Sequence, residues 1–325
     1  MSTAVPILNS TQLLEHAQQV VKLPAWVASR RDKILSNGKP QVQLILGDGH
    51  DSILGYVWPE HRDHVGPITT LAPAMVTAKV REFDRRPNLE IRQICPVDPS
   101  EIGAAASLLP RSACPPEALK SLDRLVELEQ ALPSPLSGFL KRVLLDPAIG
   151  MPLLRCRASV NHHHNFAGGL LVHCTSLLDV AGSIAAATMP DDPLAAPMAQ
   201  LCYLLHDLGK LRSVGEECRP EDPFVLRHET MTVDLLSSHL AWLERQDREL
   251  ALGLRYVLQY LATPNASRDM AEYLIAEIVV FLDHCSAASK SGRDLSSLLR
   301  RRPMSWGSAR VIAKLIGSAG GKGNG

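Results

Sequence analysis

An α+β chain is what this sequence predicts, with its strands gathered into a small N-terminal β-barrel or sandwich and its helices into an all-α bundle that follows. Short stretches of alternating apolar and polar residues crowd the region 40–97, separated by turn-forming residues. From Pro135 onward the period becomes that of helices, punctuated by proline-containing breaks. At 325 residues the chain is long enough for two domains, each with its own core.

Along the chain, 1–39 is expected to be a helical N-terminal segment, helical from 11 to 36 with an interruption at Pro24. The β domain, 40–97, opens with the alternating run Gln41-Val42-Gln43-Leu44-Ile45-Leu46 and the turn signal Gly47-Asp48-Gly49. Ser52 to Trp58 would pair with it as a hairpin. Ala74 to Phe83 and Leu89 to Ile94 form a second pair around the turn Asp84-Arg85-Arg86-Pro87-Asn88. Several short strands in so few residues point to a barrel or sandwich. A linker and an amphipathic helix (117–132) occupy 98–134. The all-α domain, 135–290, carries helices at 136–145, 169–189, 197–211, 228–246, 248–262 and 269–289. The tail, 291–325, is basic, ends in glycine-rich sequence and is expected to be disordered.

Acids and bases balance at 34 each, so total charge argues neither for nor against nucleic acid. The N-terminus lacks a basic region followed by a long apolar core, and no apolar run looks long and uninterrupted enough to span a bilayer. The seven cysteines are scattered and form no CxxC pair, which suits reduced thiols. A cytoplasmic protein without a membrane partner is therefore expected.

Chemistry concentrates in two segments. The first runs Asn161-His162-His163-His164-Asn165-Phe166-Ala167-Gly168-Gly169-Leu170-Leu171-Val172-His173, and the second is Leu204-Leu205-His206-Asp207-Leu208-Gly209-Lys210. A His-Asp pair inside a leucine-rich helix is costly to bury unless something compensates its charge. A divalent metal does so, with His173 of a neighbouring helix as a third ligand and Asp283, an acid closing an apolar run, as a fourth. Imidazole and carboxylate donors without thiolate suit manganese, the ion expected first, as well as iron, zinc or nickel and, less well, magnesium. Lys210, one turn on from His206, is placed to stabilise charge on a phosphate, or else is a solvated lysine at a helix end. Gly168-Gly169 lets backbone approach an anion at a helix start, with His163 or His164 contacting phosphate. His228 opens a helix, where a second metal, a phosphate or a surface cap are all open readings.

His from one helix and His-Asp from the next resemble the pattern of the HD-type metal-dependent phosphohydrolases. More specifically, His163-His164-Asn165-Phe166-Ala167-Gly168-Gly169-Leu170-Leu171-Val172-His173-Cys174 is similar to the HHxxxGGLLxHT motif of the YhaM-type 3′-to-5′ exoribonucleases, and His206-Asp207-Leu208-Gly209-Lys210 to their HDxGK. Phe139 to Asp146 resembles the helix before that motif, and 47–58 with 76–94 resemble their OB strands. The resemblance covers most of 40–290, tightly in the HD core and loosely before it.

It implies an OB-like barrel joined to an HD domain, metal ligands at His173, His206, Asp207 and Asp283, and His228 as a further site residue. Lys210, His164 and His228 take the catalytic roles, and His163 contacts the nucleic acid. The implied activity is hydrolysis of single-stranded nucleic acid, RNA or DNA, from the 3′ end. An OB barrel tracks a single strand with a basic groove, and Arg81, Arg85, Arg86 and Arg92 are then natural contacts, or simply a solvated strand edge.

Two departures stand out. The family carries a Ser-His-His-Gly stretch where this chain has Leu258-Gln259-Tyr260-Leu261, so a second metal is not implied. Cys174 also stands where threonine is usual. Arg227 to Leu236 and the triple histidine resemble, in addition, the HD domain of MobH-type conjugative relaxases, which act on DNA. An HD phosphohydrolase of small nucleotides, and a nucleic-acid-binding module with a vestigial site, complete the alternatives.

Overall fold

The alternating segments become a five-stranded barrel in the computed structural model. It describes residues 10–289 apart from 48, 50, 67, 162, 216–226, 265, 266 and 268. The basic tail, His162 of the triple histidine and Asp48 of the first turn therefore lie outside the described residues. The chain divides into two compact units, Met1–Arg155 and Cys156–Gly325.

In the first unit a short helix α1 (Ser10–Glu15) leads into strands β1 (Val20–Ile34), β2 (Pro40–Gly47), β3 (Ser52–Val57), β4 (Ala72–Phe83) and β5 (Arg86–Pro96). They close in the order β1-β2-β3-β5-β4, with β4 returning to β1. All pairs are antiparallel except β3 with β5. This is an OB-like barrel. Leu44, Leu46, Val76, Ala78, Val80, Leu89 and Ile91 fill its interior from alternate positions.

The helix expected over 11–36 is not there. Helix α1 stops at Glu15, and β1 takes Val20–Ile34, so the barrel begins about twenty residues before the expected boundary at 40. The misreading has a physical cause. Residues 23–27 are buried without a gap, and only Leu23, Ala25 and Val27 of them face the barrel core. With both faces covered the alternation is lost, and an unbroken apolar run looks the same in a strand as in a buried helix. Pro24 fits because β1 pairs there with β4 alone, and pairing with β2 starts at Trp26. The turn expected over 84–88 is tighter too. Asp84 and Arg85 alone take positive φ (50° and 60°), and β5 resumes at Arg86.

Helices α2 (Leu119–Ala131), α3 (Leu136–Leu145) and α4 (Gly150–Arg155) complete the first unit. The second holds α5 (Gly169–Thr175), α6 (Leu178–Thr188), α7 (Ala195–Leu205), α8 (Lys210–Ser213), α9 (His228–Gln246), α10 (Arg248–Ala262) and α11 (Leu274–Ser289). Two expected single helices are broken. At Ser176-Leu177 the Ser176 hydroxyl donates to His173 O (2.8 Å) and competes with the backbone ladder. The other break follows α7 at 206–209, in the His-Asp segment itself. The stretch Gly169–Thr188 has the length and mean hydropathy (1.6) of a bilayer span, but half of it is buried in the protein and the first of these breaks divides it.

Gly55 on β3 ties the barrel interior together, since a Cβ there would lie 2.5 Å from Ile91 Cδ1 and 3.3 Å from Leu46 Cδ1. Ile91→Ala is expected to cost about 2–5 kcal/mol in urea unfolding. Gly55→Ala should cost less on that background than in the parent chain, because the clash is relieved. Strictly additive costs would show that the two positions do not share one packing site.

Candidate metal centre

The sequence turns sharply where its chemistry lies. After α7, Leu208 N donates to Leu205 O (3.2 Å) and Lys210 N to Asp207 O (2.9 Å), a tight turn that points His206 and Asp207 inward together. Gly209 allows this turn to sit on the start of α9, because a Cβ there would fall 1.8 Å from His228 O. The buried Thr232 hydroxyl fixes the contact: it accepts from Gly209 N (2.8 Å) and donates to His228 O (3.0 Å). The glycine of the His-Asp-x-Gly-Lys segment is thus required by backbone approach. Gly169 plays the same part at α5, where a Cβ would meet His164 O at 2.1 Å.

These turns bring His173, His206, Asp207 and Asp283 together, with one donor atom from each lying within 4.8 Å of all the others. His173 Nε2 is 3.1 Å from His206 Nε2, 3.0 Å from Asp207 Oδ2 and 3.3 Å from Asp283 Oδ1. His206 Nε2 is 3.4 Å from Asp207 Oδ2 and 3.5 Å from Asp283 Oδ1. Donors about 2.1 Å from a common ion lie roughly 3.0–3.4 Å apart, so the spacing suits one cation.

The far side of each imidazole supports the same fit. His206 Nδ1 donates to Tyr203 O (2.6 Å), and His173 Nδ1 shares a hydrogen bond with Ser286 Oγ (3.1 Å). With Nδ1 carrying the proton, each Nε2 turns a lone pair toward the other three donors, the usual outer arrangement of metal-ligating histidines. The Tyr203 ring stacks on His206 (5.2 Å between centroids), and its hydroxyl donates to His173 O (3.3 Å). Two lone pairs and two carboxylate oxygens this close repel unless a positive charge lies between them.

The charges answer to this crowding. Burial would raise the Asp207 carboxyl, but His206, Lys210 and hydrogen bonds from His173 and His228 hold it well below the usual carboxylate range. Asp283 is lowered for the same reason: burial opposes its charge, and His173 and His206 outweigh it. Without an ion, burial disfavours a charged His173, yet the hydrogen bonds that a protonated Nε2 then donates to Asp207 and Asp283 push it up to about 9. Lys210 donates to Asp207 Oδ2, and that carboxylate raises it against the pull of burial. Burial also raises the Cys174 thiol, which keeps its proton.

Other expected site residues fall into distinct places. His228, at the start of α9, sets its Nε2 3.1 Å from the other Asp207 oxygen, Oδ1. His164 is buried at positive φ (59°), its ring 5.7 Å from that of His173, while His163 is half-buried in the loop. At the start of α5, where an anion was expected to meet backbone N–H groups, Gly169 N donates to Phe166 O and Leu170 N to Cys156 O. On the barrel, Arg81 donates to Glu90 (2.8 and 2.6 Å) and Gln18, and Arg92 lies 3.8 Å from Glu90. Arg85 and Arg86 are exposed at the β4–β5 tip beside Phe83, itself 71% exposed.

Sequence reasoning missed Tyr203, Ser286 and Thr232. Ser286 lies three residues after Asp283 and so on the same side of its helix, a spacing that could have found it. Tyr203, three residues before His206, carries the same kind of signal. Nothing in the sequence points to Thr232.

No protein-family model matches the chain. Its sequence is similar to curated 3′-5′ exoribonucleases of the YhaM type. It is 27% identical over 209 residues to that of Bacillus licheniformis, 62% of this chain and 63% of the relative. It is 26% identical over 191 residues to that of Halalkalibacterium halodurans, 58% and 57% of the two chains. With that of Bacillus subtilis it shares 25% over 192 residues, 58% of each. The matched region thus spans about six-tenths of the length of these relatives.

Thr232→Val keeps the shape of that side chain but leaves Gly209 N without its acceptor. The expected loss is about 1–3 kcal/mol of stability, the cost of an unsatisfied buried donor. A chemical-denaturation midpoint unchanged from the parent would show that the turn is held by packing alone.

Proposed function

We propose that this chain is an HD-type, metal-dependent phosphodiesterase that hydrolyses single-stranded nucleic acid from the 3′ end, with RNA as first substrate and manganese as the ion. The observation that carries this reading is the meeting of four donors, each imidazole Nε2 turned inward and 3.0–3.5 Å from the other and from both carboxylates. The similarity to exoribonucleases supports the substrate class.

Held by His173, His206, Asp207 and Asp283, a divalent ion would supply Lewis acidity toward water and a phosphate oxygen. The chain's own residues do the rest. His173, His206, Asp207 and Asp283 hold the centre, and Tyr203 and Ser286 fix the orientation of the two imidazoles. Lys210 neutralises Asp207 and keeps positive charge beside the developing phosphorane. His228, on Asp207 Oδ1, is placed to donate a proton or hydrogen bond to the ester, and His164 backs His173. Exposed Arg85, Arg86 and Phe83 give the barrel a tip with cationic and stacking groups that suits a single strand.

The direct test is manganese-supported digestion of 3′-labelled and 5′-labelled RNA and DNA, with small phosphomonoesters and cyclic nucleotides alongside. Label should leave 3′-labelled RNA first, as mononucleotides. Turnover of small esters with no attack on strands would sink the nuclease reading.

Two further outcomes follow from the site. Asp207→Ala should lose metal and activity together, whereas Lys210→Ala should retain metal and turn over about 10²–10³-fold more slowly. Equal metal loss in both, measured by elemental analysis, would make Lys210 a structural group. The second concerns pH. His173 is raised from 6.5 to about 9, so its proton stabilises the metal-free fold fully below pH 6.5, and that stability is lost as pH rises through about 9. A cation must displace that proton, so apparent manganese affinity should climb about tenfold per pH unit toward pH 9. Calorimetry in two buffers of different ionisation enthalpy would detect the released proton, and a flat profile would count against His173 as a ligand.

A further inference from the structure

The cavity beside the donor cluster has a second half, of which His228, Arg227, Glu229, Leu261, Val280 and His284 form the wall. Asp207 faces both halves: Oδ2 points into the cluster and Oδ1 toward His228. A carboxylate placed this way bridges two ions in many hydrolytic centres, where the ions stand about 3.5–4 Å apart. Around Oδ1 the described residues bring one further donor to that spacing, His228, and no group of three.

His228 Nε2 lies 3.1 Å from Asp207 Oδ1. Glu229, the carboxylate next to it, is forked onto the Arg227 guanidinium by two hydrogen bonds (3.2 and 2.6 Å). Lys210 adds an ammonium on Asp207 Oδ2. A second cation here would face the Arg227 guanidinium, with Glu229 engaged by that guanidinium, and beside His228 and His284 the wall presents Leu261 and Val280, which carry no donor atom. Among the described residues, the single group of donors able to hold an ion is His173, His206, Asp207 and Asp283.

We infer that this half of the cavity receives the ester and not a second ion: the centre binds one divalent cation per chain, and the Leu261–Val280 wall takes the nucleoside side of a terminal nucleotide whose phosphoryl oxygens face His228 and His284. The cavity, about 110 Å³, has room for a phosphoryl group and the near part of a sugar. Apolar contact on one side with cationic and imidazole groups on the other matches a phosphate ester and mismatches a bare ion. This rests on the metal reading given above, and the two can fail separately.

The test uses the full chain, stripped of metal and titrated with manganese, with bound ions counted by equilibrium dialysis and by spin resonance of the free ion. One ion per chain is expected, in the parent and in His228→Gln alike. Two ions, with the second lost in His228→Gln, overturns the inference and leaves the metal reading intact; no bound ion removes both. In the manganese-loaded protein, binding of adenosine 5′-monophosphate and of inorganic phosphate is then compared. Val280→Asn should weaken the nucleotide about tenfold and leave inorganic phosphate unchanged. The isosteric Val280→Thr, with a smaller selective loss, serves if the first variant does not fold. Equal effects on both ligands, or none on either, overturn the assignment of the apolar wall.

Discussion

One buried carboxylate organises the second unit. Asp207 is only 3% exposed, and a charge so deeply placed is tolerable only when surrounded by partners. Those partners come from four directions: His173 from α5, His206 from its own turn, Lys210 from α8 and His228 from α9. Helix ends that would otherwise have no reason to meet are therefore drawn to one point. The break at 206–209 serves the same end, since its tight turn points His206 and Asp207 inward together.

The charge pattern gives the centre a direction. The Asp207 oxygen shared by His173, His206 and Lys210 looks inward, whereas the one on His228 looks toward the open cavity. Outer hydrogen bonds, from His206 to Tyr203 O and between His173 and Ser286, then limit each imidazole to one useful face. Preorganisation of this kind means that little has to move when substrate arrives, because the dipoles are already aimed.

Much of this was legible in the residues. The His-Asp-x-Gly-Lys turn, the glycine pair before His173 and the lone acid after an apolar run mark four positions that come together, since few physical settings require all of them. The strands after residue 40 were legible because each hides one face and shows the other. β1 was not, because its 23–27 stretch is covered on both faces and leaves no alternation to read. Hydroxyls such as Thr232 and Ser286 escaped because their value depends on an angle and a partner, neither of which has a period. The pairing of Arg81 with Glu90 escaped for a related reason: neighbours across a hairpin are set by register, and a one-residue change in the turn re-pairs every side chain.

Gly169 and Gly209 have a consequence for how this protein can change. Each sits where only a hydrogen atom fits between two stretches of main chain, so the floor of the site admits no variation at those points. The cavity wall on α10 and α11 is built of the side chains of Leu261, Val280 and His284. Lineages carrying this scaffold can therefore revise what the cavity prefers at Leu261, Val280 or His284 while the apparatus beneath stays intact, and the record of past specialisation should be written on that wall.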